Sequence, residues 1–145
     1  VGDGPQRYLE RLKKEACEGV LFTGQLSDKE FLWEIKSAYL YVLPSIREGQ
    51  SITLLEAMAC GTPQIVVQSP ESAAPRLAAE SQSALCVAPN TKAITQGILT
   101  IFGDMNLWMK LRENGLRYVR NFDWNHAAEE YLKLYNSQCQ RSIQS

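Results

Sequence analysis

The sequence predicts a single α/β domain built on an open, doubly wound parallel sheet. Short apolar segments without charges alternate with longer segments of helical periodicity, which is the pattern of βαβ units covered on both faces of the sheet. Glycine, proline and capping residues separate the two kinds of segment. With 145 residues, of which 45% are hydrophobic, the chain is long enough to bury a core without disulfides.

Four segments are predicted to be strands because each is short, apolar and bounded by turn residues. They cover residues 20–23, 39–43, 64–67 and 84–88. Seven helices are predicted at about residues 5–15, 28–38, 52–60, 75–80, 91–102, 105–120 and 124–138. Their expected N-caps are short polar side chains: Ser27, which forms a capping box with Glu30, then Ser51, Asn90 or Thr91, Asp104 and Asp123.

Composition excludes several classes of function. The formal charge of −1 and the pI near 5.9 lack the basic footprint of a nucleic-acid binder. No apolar run reaches the ~18 residues that a membrane-spanning helix requires. Four dispersed cysteines and a single histidine favour neither a zinc site nor a disulfide framework. We therefore expect a cytoplasmic protein with reduced thiols and no bound metal.

One basic stretch allows a second interpretation. Four cations near the end of the sixth predicted helix alternate with apolar residues, so they could form a surface for peripheral membrane contact. An ordinary solvated helix face is the simpler reading, because Glu113 interrupts the pattern. The cations are Lys110, Arg112, Arg117 and Arg120.

Two carboxylates with seven residues between them stand out. Glu48 lies in the loop after the second predicted strand, and Glu56 lies inside the apolar helix that follows. A carboxylate in such a helix is costly to desolvate unless donors reach it, and no basic residue is close in sequence. Vicinal sugar hydroxyls match the two oxygens of a carboxylate, so a sugar would satisfy this requirement.

The same loop contains a site for an anion. Gly49 and the amides of Gln50, Ser51 and Ile52 surround a helix N-terminus, which favours a phosphate group. In parallel sheets ligands bind beyond the carboxyl ends of the strands. Together the carboxylates and amides describe a pocket for a nucleotide linked to a sugar.

These residues resemble the signature of the retaining, GT-B-type glycosyltransferases of family four, known as glycosyl transferases group 1. The resemblance covers essentially the whole chain, and its most specific part runs from Glu48 to Pro63. It also includes Val-Gly-Asp-Gly-Pro at the start, Val-Leu-Phe-Thr-Gly from residue 20 with Leu-Ser-Asp from residue 26, Tyr-Val-Leu-Pro-Ser from residue 41, and Phe-Asp-Trp from residue 122.

The resemblance implies roles for matching positions. Glu48 would contact hydroxyls of the donor sugar near the reacting carbon, as the catalytic residue, and Glu56 would hold the ribose. The amides after Gly49 would face the distal phosphate, and the loop containing Gly24 and Leu26 would border the base. The implied substrate is a nucleotide-sugar, transferred with retention of configuration and without a metal or other cofactor.

Departures from the family pattern are equally informative. Gln50 and Ser51 stand where the family more often has an aromatic residue and a glycine, and the segment from Ala73 to Arg76 replaces a frequent Gly-Gly-x-Pro-Glu. The chain begins in mid-element at Val1, so residues 1–145 are expected to be an N-terminally truncated donor-binding domain. It would lack the acceptor-binding domain, the first strands and the Arg-Lys pair that grips the diphosphate.

This truncation leads to two expectations and leaves three functional interpretations open. The isolated chain is expected to transfer sugar at a negligible rate, because preorganised cations stabilise a departing diphosphate. Apolar sheet edges are expected to lie unpaired. The chain is interpreted as the donor half of a glycosyltransferase of cell-envelope or glycoconjugate synthesis. The alternatives are a non-catalytic nucleotide-sugar-binding or interaction module and, less favoured by the two glutamates, a nucleotide-sugar epimerase.

Overall fold

The computed structural model describes residues 5–143 of the chain, and side chains for residues 5–136. The chain forms two compact units, Val1–Ala38 and Tyr39–Ser145. Their secondary-structure elements, in chain order, are α1 (Gln6–Glu15), α2 (Asp28–Ser37), β1 (Tyr41–Leu43), α3 (Ile52–Cys60), β2 (Gln64–Val67), α4 (Ala74–Ser81), β3 (Ala84–Val87), α5 (Thr91–Gly103), α6 (Met105–Tyr118), a 3₁₀ turn (Val119–Asn121) and α7 (Trp124–Ile143).

The first unit contains two helices and no strand within its described residues. The strand predicted at residues 20–23 is wrong: this segment is irregular, and its apolar side chains are exposed, with Leu21 at 87%. A strand is stable only when a neighbour satisfies its backbone groups, and none is paired with it here. The capping box of Ser27 and Glu30 is confirmed, since each side chain accepts a hydrogen bond from the other's N–H.

The second unit contains a three-stranded parallel sheet in the order β1-β2-β3. This confirms the predicted α/β class with a parallel sheet, although the sheet has three strands rather than four. Val42 pairs with Ile65, and Ile65 pairs with Leu85. β1 has a neighbour on one side only among the described residues.

Helices cover both faces of this sheet. Val66 packs on one face with Leu54 of α3 and Ala78 of α4. Ile65, which points to the opposite face, packs with Ile101 of α5 and Leu111 of α6. A buried Gln64 joins the sheet to α3, because its side-chain amide donates to the Leu54 carbonyl at 3.0 Å.

The three helices that follow β3 begin at the predicted capping residues. Asn90 and Asp104 each accept a hydrogen bond from an N–H three residues later. Asp123 does the same with the N–H of His126 at 2.8 Å. The predicted cap at Ser51 is wrong: Ser51 precedes α3, but its side chain caps nothing.

The basic stretch of α6 is not a uniform solvated face. The half-buried Arg112 donates from Nη1 to the Gly61 carbonyl at 2.5 Å, and its guanidinium lies 5.6 Å from the centre of the Trp108 ring. Arg112 therefore joins α6 to the end of α3. Within the described part of the chain, no helix is both long and apolar enough to cross a bilayer.

Candidate functional site

Two loops at the carboxyl ends of β1 and β2 are joined by hydrogen bonds. Glu48 and Ser72 form a parallel backbone bridge, and the N–H of Ala73 donates to the Glu48 carbonyl at 2.8 Å. The Ser69 hydroxyl donates to the Ile46 carbonyl at 2.6 Å. The loops after β1 and β2 therefore form one connected rim, at the edge of the sheet where ligands bind in parallel α/β folds.

Glu48 lies on this rim, half-buried. A surface pair between Glu48 and Arg47 is the simplest non-functional explanation of this carboxylate. Arg47 instead forms its ion pair with Glu71, at 2.5 Å between Nε and Oε2. Among the described residues no side chain bonds to the Glu48 carboxylate, so its acceptor oxygens remain available to a ligand.

Glu56 lies on the second turn of α3, also half-buried. It follows Ile52 by four residues and so shares a helix face with it, whereas Leu54 and Met58 face the core. Ile52 is exposed at the start of that face. Glu56 is therefore on the outer side of α3 without being a fully exposed surface carboxylate.

Ser51 occupies an unfavourable backbone conformation at the start of α3. Its φ of +36° and ψ of +46° are left-handed, a region that costs a non-glycine residue about 1–2 kcal/mol. The residue is only 4% exposed. Its hydroxyl is buried without a hydrogen-bond partner among the described residues, which is a second source of instability.

A cleft of about 210 Å³ opens between the starts of α3 and α4 and the turn after α6. The N–H groups of Ile52 and Thr53 at the start of α3 donate to no backbone carbonyl elsewhere in the described chain, as is usual for the first turn of a helix. The cleft is lined by Gly49, Gln50, Ser51, Leu55, Ala73, Arg76, Leu77, Glu80, Tyr118 and Phe122.

The charged side chains in this lining are Arg76 and Glu80, which form an exposed pair at 3.4 Å. The other oxygen of Glu80 accepts a hydrogen bond from the Tyr118 hydroxyl at 2.8 Å. Burial, together with this hydrogen bond to a carboxylate, raises the pKa of Tyr118 above its ordinary value. Tyr118 therefore remains a neutral donor that fixes Glu80.

The structure brings together part of the predicted site. Gly49, Gln50 and Ser51 line the cleft, and Glu48 is beside them on the rim. Ile52 and Glu56 follow on α3 but do not line the cleft. Whether a ligand touches these residues in the predicted way stays a prediction.

Gly24 and Leu26 belong to the first unit. Gly24 has a φ of +66°, which glycine adopts without strain, and both residues are half-buried ahead of the α2 capping box. Their predicted place beside a nucleotide base stays a prediction. Residues 1–4, which open the family resemblance with Val-Gly-Asp-Gly, lie outside the described residues.

Sequence reasoning missed the far wall of the cleft. Tyr118 and Glu80 are 38 residues apart, and Phe122 contacts the Tyr118 ring at 5.2 Å between centroids. The spacing of Arg76 and Glu80 by four residues was the one local signal, since such pairs meet on a helix. Within the described residues, no group of three or more His, Cys, Asp or Glu could hold a metal ion.

Comparison with known proteins identifies the family. The family model described as "Glycosyl transferases group 1" matches residues 1–104, a stretch that includes the rim, α3 and α4. The chain belongs to the glycosyl transferases group 1 family. This confirms the resemblance inferred from the segment between Glu48 and Pro63. It also confirms that the family is one of glycosyltransferases with the GT-B, Rossmann-like fold.

Curated relatives in this family are sugar transferases. The chain is 36% identical over 137 residues to a lipopolysaccharide core biosynthesis mannosyltransferase of Rhizobium leguminosarum bv. viciae, covering 90% of this chain and 38% of the relative. It is 29% identical over 139 residues to a phosphatidyl-myo-inositol mannosyltransferase of Mycobacterium leprae, covering 94% of this chain and 37% of the relative.

Solved structures show the same fold. Sucrose-phosphate synthase from Thermosynechococcus elongatus superimposes with a TM-score of 0.79 at 28% identity, covering 97% of this chain and 37% of that protein. A glycosyltransferase from Rickettsia africae superimposes with a TM-score of 0.72 at 20% identity, covering 91% of this chain and 35% of that protein. The chain thus spans less than two fifths of the length of these similar proteins.

Proposed function

We propose that this chain is the donor-binding part of a glycosyltransferase that moves a sugar from a nucleotide-sugar to an acceptor. The observation that supports this most is the rim at the sheet's carboxyl edge. There the Glu48 carboxylate, which has no side-chain partner among the described residues, adjoins the start of α3. Family membership and the sugar-transferase relatives support a transfer reaction. The proposed acceptors are those of cell-envelope or glycoconjugate synthesis, and the proposed location is the cytoplasm.

Under this proposal, each element near the rim would contact a different part of the donor. The first N–H groups of α3 have no partner within the helix and carry the positive end of its dipole, so they would bind the distal phosphate. Glu48, beside them, would accept hydrogen bonds from hydroxyls of the donor sugar. Glu56, one turn into α3, would accept hydrogen bonds from the ribose. The loop holding Gly24 and Leu26 is the proposed neighbour of the base.

This division makes the roles of the two glutamates separable. The 145-residue chain is titrated by calorimetry with UDP, GDP and ADP. The nucleotide that binds is then replaced by its sugar conjugate, a UDP-, GDP- or ADP-sugar, in a second titration. Glu56→Gln is expected to weaken both ligands about tenfold, since hydrogen bonds to a charged group contribute about 1.5–3 kcal/mol. Glu48→Gln is expected to weaken only the nucleotide-sugar, because a nucleotide alone does not reach it.

The matched control is Glu113→Gln, which makes the same change on the outer side of α6 and is expected to leave both affinities unchanged. Absence of nucleotide binding by a folded wild-type chain would exclude the proposed function. Equal affinities for wild type and Glu56→Gln would exclude the role of Glu56.

We also propose, from the family resemblance, that the transfer retains anomeric configuration and requires no bound metal. Repeating the nucleotide titration in EDTA tests the second statement, with an unchanged affinity as the expected result. A nucleotide affinity that falls at least tenfold in EDTA and returns with Mg²⁺ or Mn²⁺ would contradict it. The isolated chain is still predicted to transfer sugar negligibly, and an assay with purified chain and the donor that binds measures this directly.

A further inference from the structure

Among the described residues Arg76 is the one cation in the lining of the cleft, and its side chain is largely exposed rather than packed. It lies in the first turn of α4 with 83% of its side chain exposed. A cation at a helix N-terminus faces the positive end of the dipole, and the first turn of α4 contains no acidic residue. Its position is locally unfavourable and fits a partner that is not part of the described chain.

The ion pair with Glu80 does not occupy Arg76 fully. The Nε to Oε1 distance is 3.4 Å and both side chains are at least half exposed, so the pair is weak in water. Tyr118 bonds to the other oxygen of Glu80 and would keep that carboxylate in place if Arg76 moved. A ligand carboxylate could therefore take the guanidinium from Glu80 without leaving Glu80 unpartnered.

Two helix starts add to the positive potential of Arg76. The cleft is lined by Ser51 at the start of α3 and by Ala73 at the start of α4. The Ser51 hydroxyl, buried and without a hydrogen-bond partner in the described part of the chain, is a second and independent observation that points to a ligand here. An anionic group fits this combination of an exposed guanidinium and two helix N-termini.

The position of Arg76 on the rim indicates which part of the donor would carry that anion. Arg76 comes three residues after Ala73, whose N–H bonds to the Glu48 carbonyl. Under the proposed function Glu48 contacts the donor sugar, whereas the nucleotide lies toward Glu56. Arg76 is thus one helical turn from a residue that is bonded to Glu48, in a cleft that also contains the start of α3.

We propose that this cleft selects a donor whose transferred sugar carries a carboxylate, and that Arg76 is the residue that reads it. The inference rests on the proposed function. Arg76 would form a bidentate pair with the sugar carboxylate, while Tyr118 retains Glu80 at the far wall. A neutral hexose donor would leave Arg76 on Glu80 and gain no such contact.

The test uses a matched pair of ligands that needs no knowledge of the base. α-D-Glucuronic acid 1-phosphate and α-D-glucose 1-phosphate differ only at C6, where the first has the carboxylate. Both are titrated into the 145-residue chain and followed by NMR chemical shifts, with inorganic phosphate as a third ligand. The wild-type chain is expected to bind the glucuronate about fivefold or more tightly than the glucose compound.

Arg76→Gln is expected to remove this preference while leaving the affinity for glucose 1-phosphate unchanged. Glu80→Gln, which releases Arg76 from its pair, is expected to increase the preference. The control is Arg117→Gln, an equal charge change on an exposed residue outside the cleft lining, and it should keep the wild-type preference. Circular dichroism establishes that each variant is folded.

Equal affinities for the two sugar phosphates in the wild-type chain would overturn the inference. A loss of inorganic phosphate binding in Arg76→Gln equal to the loss of glucuronate binding would also overturn it, since Arg76 would then read the phosphate. These failures leave the nucleotide titrations untouched. The proposed function fails only if no nucleotide binds, so the two results are distinguishable.

Discussion

The two ends of α3 share a left-handed backbone but differ in how well the protein accommodates it. At the C-terminal end, Gly61 has a φ of +69°, its N–H bonds back to the helix, and its carbonyl accepts from Arg112. At the N-terminal end, Ser51 has a φ of +36°, and its buried hydroxyl has no partner among residues 5–136. The satisfied end is a structural joint, whereas the strained end borders the cleft.

This difference follows a general relation between strain and function. Unfavourable backbone conformations persist only where the surrounding structure enforces them, and they concentrate at ligand sites. Gly61 is the residue type that the left-handed region favours, so its conformation needs no functional explanation. Serine is not favoured in this region, and the family pattern more often has glycine at the position of Ser51. The strain at Ser51 therefore indicates that the start of α3, rather than its end, has the functional role.

The largest expected effect is at the satisfied end. Gly61→Ala is expected to destabilise the chain by about 3 kcal/mol, combining the left-handed penalty of ~1–2 kcal/mol with disruption of a charged hydrogen bond. A methyl group at this position would lie 2.5 Å from Nη1 of Arg112, so the guanidinium has to shift, which is expected to weaken its bond to the Gly61 carbonyl. Urea unfolding followed by fluorescence measures the change in free energy.

Gly103→Ala is the control for that measurement, because the space around Gly103 is open and its φ is not positive. It should change the free energy of unfolding by less than ~1 kcal/mol. In the Arg112→Ala background the steric part of the Gly61→Ala effect should disappear. A destabilisation by Gly61→Ala no larger than that of Gly103→Ala would contradict the description of this end as a tightly packed joint.

The next effect is at the strained end and has the opposite sign. Ser51→Gly is expected to stabilise the chain by about 1 kcal/mol, because it relieves the left-handed strain and removes a buried hydroxyl without a partner, offset in part by the added entropy of the unfolded chain. The same unfolding experiment measures it. Gln82→Gly provides the comparison, because Gln82 also has a positive φ, +52°, but is exposed.

Only Ser51→Gly removes a buried orphan hydroxyl, so it should stabilise more than Gln82→Gly does. If Ser51→Gly destabilised the chain, the hydroxyl would have to form a contact that the structure does not contain, and the contrast between the two ends of α3 would fail.

The smallest effect concerns the far wall of the cleft. The pKa of Tyr118 is raised in the folded chain, first by burial and then by its bond to Glu80. The folded state therefore holds the proton more strongly than the unfolded state, so this contribution is complete below the ordinary tyrosine pKa of about 10 and is lost as the pH rises through the folded value. Melting temperatures of wild type and Tyr118→Phe should converge as the pH is raised above about 10. A constant difference between them across that range would show that Tyr118 ionisation is not linked to folding.

Local sequence signals predicted most of the second unit. The caps at Asn90, Asp104 and Asp123 depend on contacts three residues apart, and strands β2 and β3 are bounded by turn residues on both sides. The same kind of signal failed at residues 20–23. Their apolar pattern is that of a buried strand, but a strand also requires a paired neighbour, which a local pattern cannot supply.

The site divides in the same way. Glu48, Gly49 and Ser51 were recognisable because their spacing places them between a strand and a helix start. Arg47 pairs with Glu71 rather than Glu48 because the loop of residues 68–73 is held against the loop after β1. The contacts that hold it join residues more than twenty positions apart. The wall formed by Tyr118 and Glu80 depends on α6 packing beside α4.

The sequence by itself determined the family, the parallel α/β fold and the position of the two glutamates, because these depend on short-range periodicity, capping and motif spacing. Only the tertiary structure decided that Ser51 is strained and unsatisfied, that Arg76 borders the cleft, and that Arg112 closes the end of α3. Those properties arise when segments distant in sequence are packed together, and burial and hydrogen-bond satisfaction exist only after that packing.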